Sequence, residues 1–201
     1  PELTAEMKRV KAQGVEVPKT ISYCRSCMNI EVKEDELENV AALKVAMKNL
    51  AEKYGCNAIA IQCWNELQHE IGIMPCAANS LLNEEGIPTV CETDIHGAIT
   101  ALMVEAASLE EKRSFFADWT VRHPDNENGE LLQHCGPWPI SVAREKPSIT
   151  YPLAFDYPGA VAAEAKHGQV TLARFDGDNG EYSLLLGNAK GIDGPYTKGT
   201  Y

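Results

Sequence analysis

Ile87-Pro88-Thr89-Val90-Cys91-Glu92-Thr93-Asp94-Ile95-His96-Gly97-Ala98 contains the strand-to-helix turn on which the reading of the fold depends. Residues 87–91 are a short apolar run with β-branched members and read as a buried strand. Residues 95–107 are apolar on most faces, rich in Ala, and read as a helix. Upstream, residues 34–54 place Leu37, Val40, Ala41, Leu43, Val45, Met47, Leu50 and Ala51 at mostly helical spacing, and Gly55 is a natural stop. Residues 57–61 read as a second buried strand and residues 64–71 as helix. Pro75 then opens another helix running to about Glu85, with Gly86 as its stop. Helix, strand, helix, strand, helix over residues 34–107 predicts a parallel α/β layer, part of a Rossmann-like domain assigned to residues 1–110.

The flanks are read in the same way. Residues 4–13 suit a helix ending at Gly14, and residues 20–23 a short strand leading into Cys24-Arg25-Ser26-Cys27. Composition changes near Ser108. Residues 114–121 and 131–135 read as strands around a polar turn at 123–129. Residues 169–175 and 181–186 flank Asp176-Gly177-Asp178-Asn179-Gly180 as a hairpin. Residues 111–201 are therefore expected to form a β-rich, antiparallel, barrel-like portion, with the boundary at 108–112.

The chain has 201 residues, 44% hydrophobic and 23% charged, an ordinary globular balance. Its 29 acidic against 18 basic residues give a net charge of −11 with no basic stripe, which argues against nucleic-acid binding and favours metal ions or neutral ligands. No apolar run approaches the roughly 20 residues needed to cross a bilayer, and no membrane partner is expected. Seven cysteines, an odd number, do not suggest a disulfide framework. They read as small buried hydrophobes in a reducing cytoplasm. Neither the start at Pro1 nor the stop after the Gly194-Pro195-Tyr196 turn looks like a natural terminus, so a piece of a longer protein is expected.

Three segments could carry chemistry. Glu92 and Asp94 lie just past a strand, where ligands bind in open α/β sheets, and two carboxylates there can hold a hard cation or move a proton. Asp94 is equally well read as a helix cap; Glu92 is less easily explained that way. Asp118, within Phe115-Phe116-Ala117-Asp118-Trp119, is costly to bury unless paired or metal-bound, and is otherwise a surface residue. Phe116 and Asp118 would share one strand face. His134 stands at a strand end beside Gly136-Pro137, as a site group or a structural one. Trp64, between Gln62 and Gln68, can stack on a sugar or fill a core. Cys24-x-x-Cys27 lacks the partners of a structural zinc site, and residues 176–180 lack the closing Glu of a calcium loop.

In order along the chain, residues 57–64, Gly72-Ile73-Met74-Pro75-Cys76, residues 81–88, residues 91–98, residues 115–119 and His134-Cys135-Gly136-Pro137 resemble the L-fucose isomerase/L-arabinose isomerase superfamily, in the branch of fucose isomerase-like proteins. The resemblance covers about residues 55–187. It implies a C-terminal portion of an enzyme that interconverts an aldose and a ketose through an enediol, with Mn2+ or another divalent cation. It assigns Glu92 and Asp118 as metal-binding and catalytic carboxylates and His134 as a ligand to metal or substrate. It also implies a monosaccharide substrate, a homo-oligomer, and a further metal-binding His beyond residue 201, without which this chain alone is expected to be inactive. The competing expectation is a non-catalytic sugar-binding or regulatory module on the same fold.

Overall fold

A computed structural model describes residues 1–152 and 156–194. The Gly194-Pro195-Tyr196 turn therefore runs outside the described residues. Helix α1 is Glu2–Gln13 and α2 is Glu16–Cys27. A two-residue β1 (Asn29–Ile30) leads to the long α3 (Glu34–Tyr54). Then come β2 (Ile59–Ala60), α4 (Glu66–Ile71), α5 (Cys76–Glu84), β3 (Thr89–Val90) and α6 (Ile95–Ala107). The second half holds β4 (Asp118–Arg122), β5 (Glu130–Gln133), a 3-10 turn at Ile140–Val142, β6 (Ser148–Thr150), β7 (Ala160–Ala162) and the hairpin strands β8 (Gly168–Asp178) and β9 (Glu181–Gly191).

Helix α3 is the axis of the core. Leu37, Val40, Ala41, Ala42, Leu43, Val45, Ala46 and Met47 are all buried, so the helix is covered on nearly every side along its middle. Helices α1, α2 and α5 supply that cover. Each large side chain removed from water there contributes about 1.5–3 kcal/mol. Even Lys44 is drawn in, its ammonium paired with Glu85 at the end of α5. Gly55 ends the helix with φ of 64°, as its sequence position foretold.

The short strand expected at residues 20–23 is instead the interior of α2. Val17, Thr20 and Cys24 recur at helical spacing and are the residues that α2 buries, a pattern that local β-propensity at Ile21 and Tyr23 obscured. The parallel arrangement is real but small. β2 pairs with β3 in parallel, Ile59 against Thr89 and Ala60 against Val90. β1 pairs in parallel with β6, which pairs antiparallel with β7. Among the described residues the sheets remain separate, of two or three strands each, so the chain is a mixed α and β structure.

Side chains complete what the short strands leave open. The fully buried amide of Asn83 on α5 donates to the Thr89 carbonyl and accepts from the Thr89 N–H, both at 2.9 Å, taking the place of a further strand beside β3. The β8–β9 hairpin is longer than the sequence suggested. Asp176, Gly177 and Asp178 lie within β8, and the reversal is made by Asn179 and Gly180 alone, both at positive φ. That two-residue turn matches the twist of the strands it joins.

Candidate functional site

The site forms where two parallel strands end. After β3 the chain turns through Glu92 and Thr93, both at φ of 57°. Two successive non-glycine residues in the left-handed region cost of order 1–3 kcal/mol each, and a β-branched Thr there is a marked outlier. The turn is held by hydrogen bonds from Thr93 N–H to the Ile61 carbonyl and from Asp94 N–H to the Cys91 carbonyl, both 3.1 Å. Its effect is to aim the Glu92 side chain across the end of β2. Asp94 then caps α6, its Oδ1 accepting from Gly97 N–H at 2.8 Å, and pairs with Arg174 on β8. Of the two readings open for Asp94, capping is the one the structure adopts.

Glu92 Oε1 accepts from Trp64 Nε1 at 3.1 Å and lies 3.6 Å from Cys63 Sγ. Its Oε2 lies 3.5 Å from His134 Nε2. Asp118 opens β4 opposite Gln133 on β5, and its Oδ2 lies 3.8 Å from the same imidazole nitrogen. Three groups from separate elements thus converge: the turn after β3, the start of β4 and the end of β5. The His134 side chain is wholly enclosed, whereas Glu92 and Asp118 keep 36% and 44% of theirs exposed, so a ligand can reach both carboxylates. Phe116, two residues before β4, packs on the imidazole at 5.3 Å between ring centres.

Behind His134 lies Cys135. Its N–H donates to His134 Nδ1 at 3.0 Å, and its Sγ is 3.5 Å from that nitrogen and 3.1 Å from Cys76 Sγ. Gly136 permits the approach, because a Cβ there would meet Cys76 Cβ at 2.8 Å and the Val161 backbone nitrogen at 3.1 Å. Burial by itself pushes the His134 pKa down, but the Cys135 sulfur and the Glu92 carboxylate outweigh it and raise the pKa to about 10. Burial pushes Glu92 up, and His134, Trp64 and Cys63 together hold it below its ordinary value. The Cys76 thiol stabilises a Cys135 thiolate against burial, and His134 assists.

Two carboxylate oxygens, 3.5 and 3.8 Å from one imidazole nitrogen, suit a divalent cation in donor type; the three ligand atoms do not all lie within 4.8 Å of one another, so a shared ion would draw the carboxylates together. A cation at Nε2 requires Nδ1 to turn from accepting the Cys135 N–H to carrying the proton, with Cys135 Sγ beside it as acceptor. All four residues assigned from sequence, Trp64, Glu92, Asp118 and His134, meet here. The sequence reading missed the sulfur lining: Cys63, Cys76, Cys91 and Cys135 are buried free thiols around the carboxylate and imidazole. The available signal was that Cys91 ends one predicted strand and Cys63 lies two residues past the other. Gln68 is structural, its amide bound to the Cys63 carbonyl at 2.9 Å. Among the described residues no helix is long and apolar enough to cross a membrane.

No protein-family model matches the chain. It is similar to proteins named sulfoquinovose isomerase. That of Alkalicoccus urumqiensis is 29% identical over 164 residues, covering 79% of this chain and 36% of the relative. That of Priestia aryabhattai is 26% identical over 168 residues, covering 82% and 37%. That of Clostridium sp. (strain MSTE9) is 29% identical over 139 residues, covering 63% and 30%. The chain thus spans little more than a third of the length of the curated relatives it matches.

Proposed function

We propose that this chain belongs to a metal-dependent aldose–ketose isomerase of the fucose/arabinose isomerase type, and that it carries a substantial part of the active site. The observation that bears the proposal is the convergence of Glu92, Asp118 and His134 from three separate elements, with the two carboxylates open to solvent. The names of the relatives favour a sulfonated hexose as the substrate class over an unmodified deoxyhexose or pentose.

Glu92, Asp118 and His134 would hold the cation, Mn2+ in the first instance. When bound, the cation supplies positive charge next to the carbonyl and hydroxyl oxygens of the sugar. Glu92, ionised at neutral pH, would take the proton from the carbon beside the carbonyl and return it to the neighbouring carbon. Trp64 would keep that carboxylate oriented through Nε1. His134, enclosed and braced by Phe116, fixes the inner wall. We extend the proposal to a homo-oligomer in which further protein segments complete the site. Exposed Ile95, Ile99 and Met103 on α6, and Leu184, Leu185 and Leu186 on β9, give apolar surface for such contacts.

The test uses the full-length protein, stripped of metal and reloaded with Mn2+. Isomerisation of sulfoquinovose, and of fucose and arabinose for comparison, should depend on the metal and be lost in Glu92→Gln and Asp118→Asn. Full activity in both variants would refute the assignment. Sugar binding without turnover by the metal-loaded wild type would point to a binding module instead.

A further inference from the structure

We infer a second metal site beside the first, for a thiophilic cation such as Zn2+ or Cd2+, formed by Cys63 Sγ, Cys91 Sγ and Oε1 of Glu92. The ligand atoms of these three residues lie within 4.8 Å of one another. The parallel pairing of β2 with β3 brings this about, since Cys91 follows β3 directly and Cys63 lies three residues past β2. The strained Glu92–Thr93 turn then folds the carboxylate back over both sulfurs.

Spacing and donor type agree. Around a tetrahedral zinc, with sulfur at about 2.3 Å and oxygen at about 2.1 Å, neighbouring ligand atoms stand roughly 3.5–4 Å apart. Cys63 Sγ and Glu92 Oε1 are 3.6 Å apart. Two thiolates with one carboxylate select zinc or cadmium over manganese. Each sulfur also has an N–H donor of the kind that supports metal thiolates. Glu92 N–H donates to Cys63 Sγ at 3.4 Å, and the fully buried Asn79 amide donates to Cys91 Sγ at 3.5 Å. Asn79 belongs to α5 and is fully buried, and its amide nitrogen finds its partner in that sulfur. Sulfurs packed only as small hydrophobes need no such donors.

Glu92 faces both sites, Oε1 toward the sulfurs and Oε2 toward His134. A soft cation among the thiols would therefore draw on the carboxylate that the proposed Mn2+ site uses, and the two ions are expected to compete. The inference does not depend on the isomerase reading, because it is read out by binding and spectroscopy rather than by turnover.

The experiment titrates the reduced, metal-free, full-length protein with Cd2+. One equivalent should produce saturable thiolate-to-cadmium charge-transfer absorption in the ultraviolet. Cys63→Ser and Cys91→Ser should each abolish it. Asp118→Asn, which removes a carboxylate of the other site, and Cys76→Ser, a thiol outside the trio, should retain it. X-ray absorption of the zinc-loaded wild type gives a reading that needs no variant: two sulfur neighbours at about 2.3 Å are expected. A first shell of oxygen and nitrogen alone, or a full charge-transfer band in the Cys63→Ser/Cys91→Ser double variant, would overturn the site.

Discussion

His134 Nε2 lies 3.5 Å from Glu92 Oε2, with the imidazole enclosed by protein and the carboxylate open on its outer side. With Cys135 behind it, this pairing holds the proton on His134 and raises its pKa to about 10. In the metal-free protein the His134 ring resonances should titrate near pH 10 by NMR, and in Glu92→Gln the midpoint should fall. A folded-state pKa above the unfolded one means that the ion pair's stabilisation is full below about pH 6.5 and is lost as pH rises through about 10. At the acid end Glu92, held low, keeps its share until the pH drops below the ordinary carboxylate range. A cation at Nε2 must displace that proton, so Mn2+ affinity should increase with pH up to the same midpoint. An ordinary His134 midpoint in the wild type would contradict the pairing.

Cys135 touches His134 on the side away from the carboxylates, 3.5 Å from Nδ1. Its expected role is to accept the Nδ1 proton while Nε2 faces a cation. Partners of this kind are worth about 10–100-fold in metal affinity. Cys135→Ala should therefore weaken Mn2+ binding by that order, measured by calorimetry, with Cys135→Ser recovering part of the loss. Equal affinity in wild type and Cys135→Ala would remove Cys135 from the site.

Asp94 and Arg174 tie α6 to β8. Asp94 is held below its ordinary pKa: burial raises it, and Arg174 with the Gly97 N–H more than offsets that. Its contribution is therefore present above the usual Asp pKa and lost as pH falls through the lowered one. Asp94→Ala removes cap and ion pair together and should cost about 1–2 kcal/mol by denaturant midpoint. Asp94→Asn keeps a capping oxygen and should cost less, with the difference from wild type shrinking in acid. Equal losses in the two variants would mean that the cap contributes nothing.

Gly97 sits in the first turn of α6 under two constraints. A Cβ there would fall 2.5 Å from Asp94 Oδ2 and 2.8 Å from Phe116 Cε2. Phe116 in turn packs on His134. Gly97→Ala should cost about 1–3 kcal/mol as overpacking and should shift the His134 ring signals through Phe116. Alanine usually favours a helix by up to about 1 kcal/mol over Gly, so a stabilised variant would refute the contact.

Much of this site was legible because its residues announce themselves locally. Glu92 follows a strand and does not suit a cap, and Asp118 is a carboxylate in an otherwise apolar stretch. The helices with strong apolar periodicity, 34–54 and 95–107, were found with their bounds. Three things were not legible. The α2 segment looked like a strand because its buried residues are spaced across a helix whose outer face is β-prone. The sheet around β3 came out narrow because Asn83, a side chain six residues from Thr89, occupies the edge of β3 that β2 does not pair with. The sulfur lining depends on bringing residues 63, 76, 91 and 135 together, and only strand adjacency and the approach at Gly136 set those distances.

By sequence Trp64 can stack on a sugar or fill a core, yet its clearest contact is the Nε1–H bond to Glu92 at 3.1 Å. The two roles separate by substitution. Trp64→Phe keeps a ring and removes the donor. A hydrogen bond to a charged group is worth about 1.5–3 kcal/mol, so Glu92 should lose part of its downward shift. As proton acceptor it would also be less well oriented. The proposed isomerase reaction should then show a lower kcat, its low-pH limb moved upward, with KM little changed. Trp64→Ala removes ring and donor, and should raise KM as well if the ring stacks on the sugar. A Trp64→Phe enzyme with unchanged kcat and pH profile would leave stacking as the residue's contribution and remove the hydrogen bond from the mechanism.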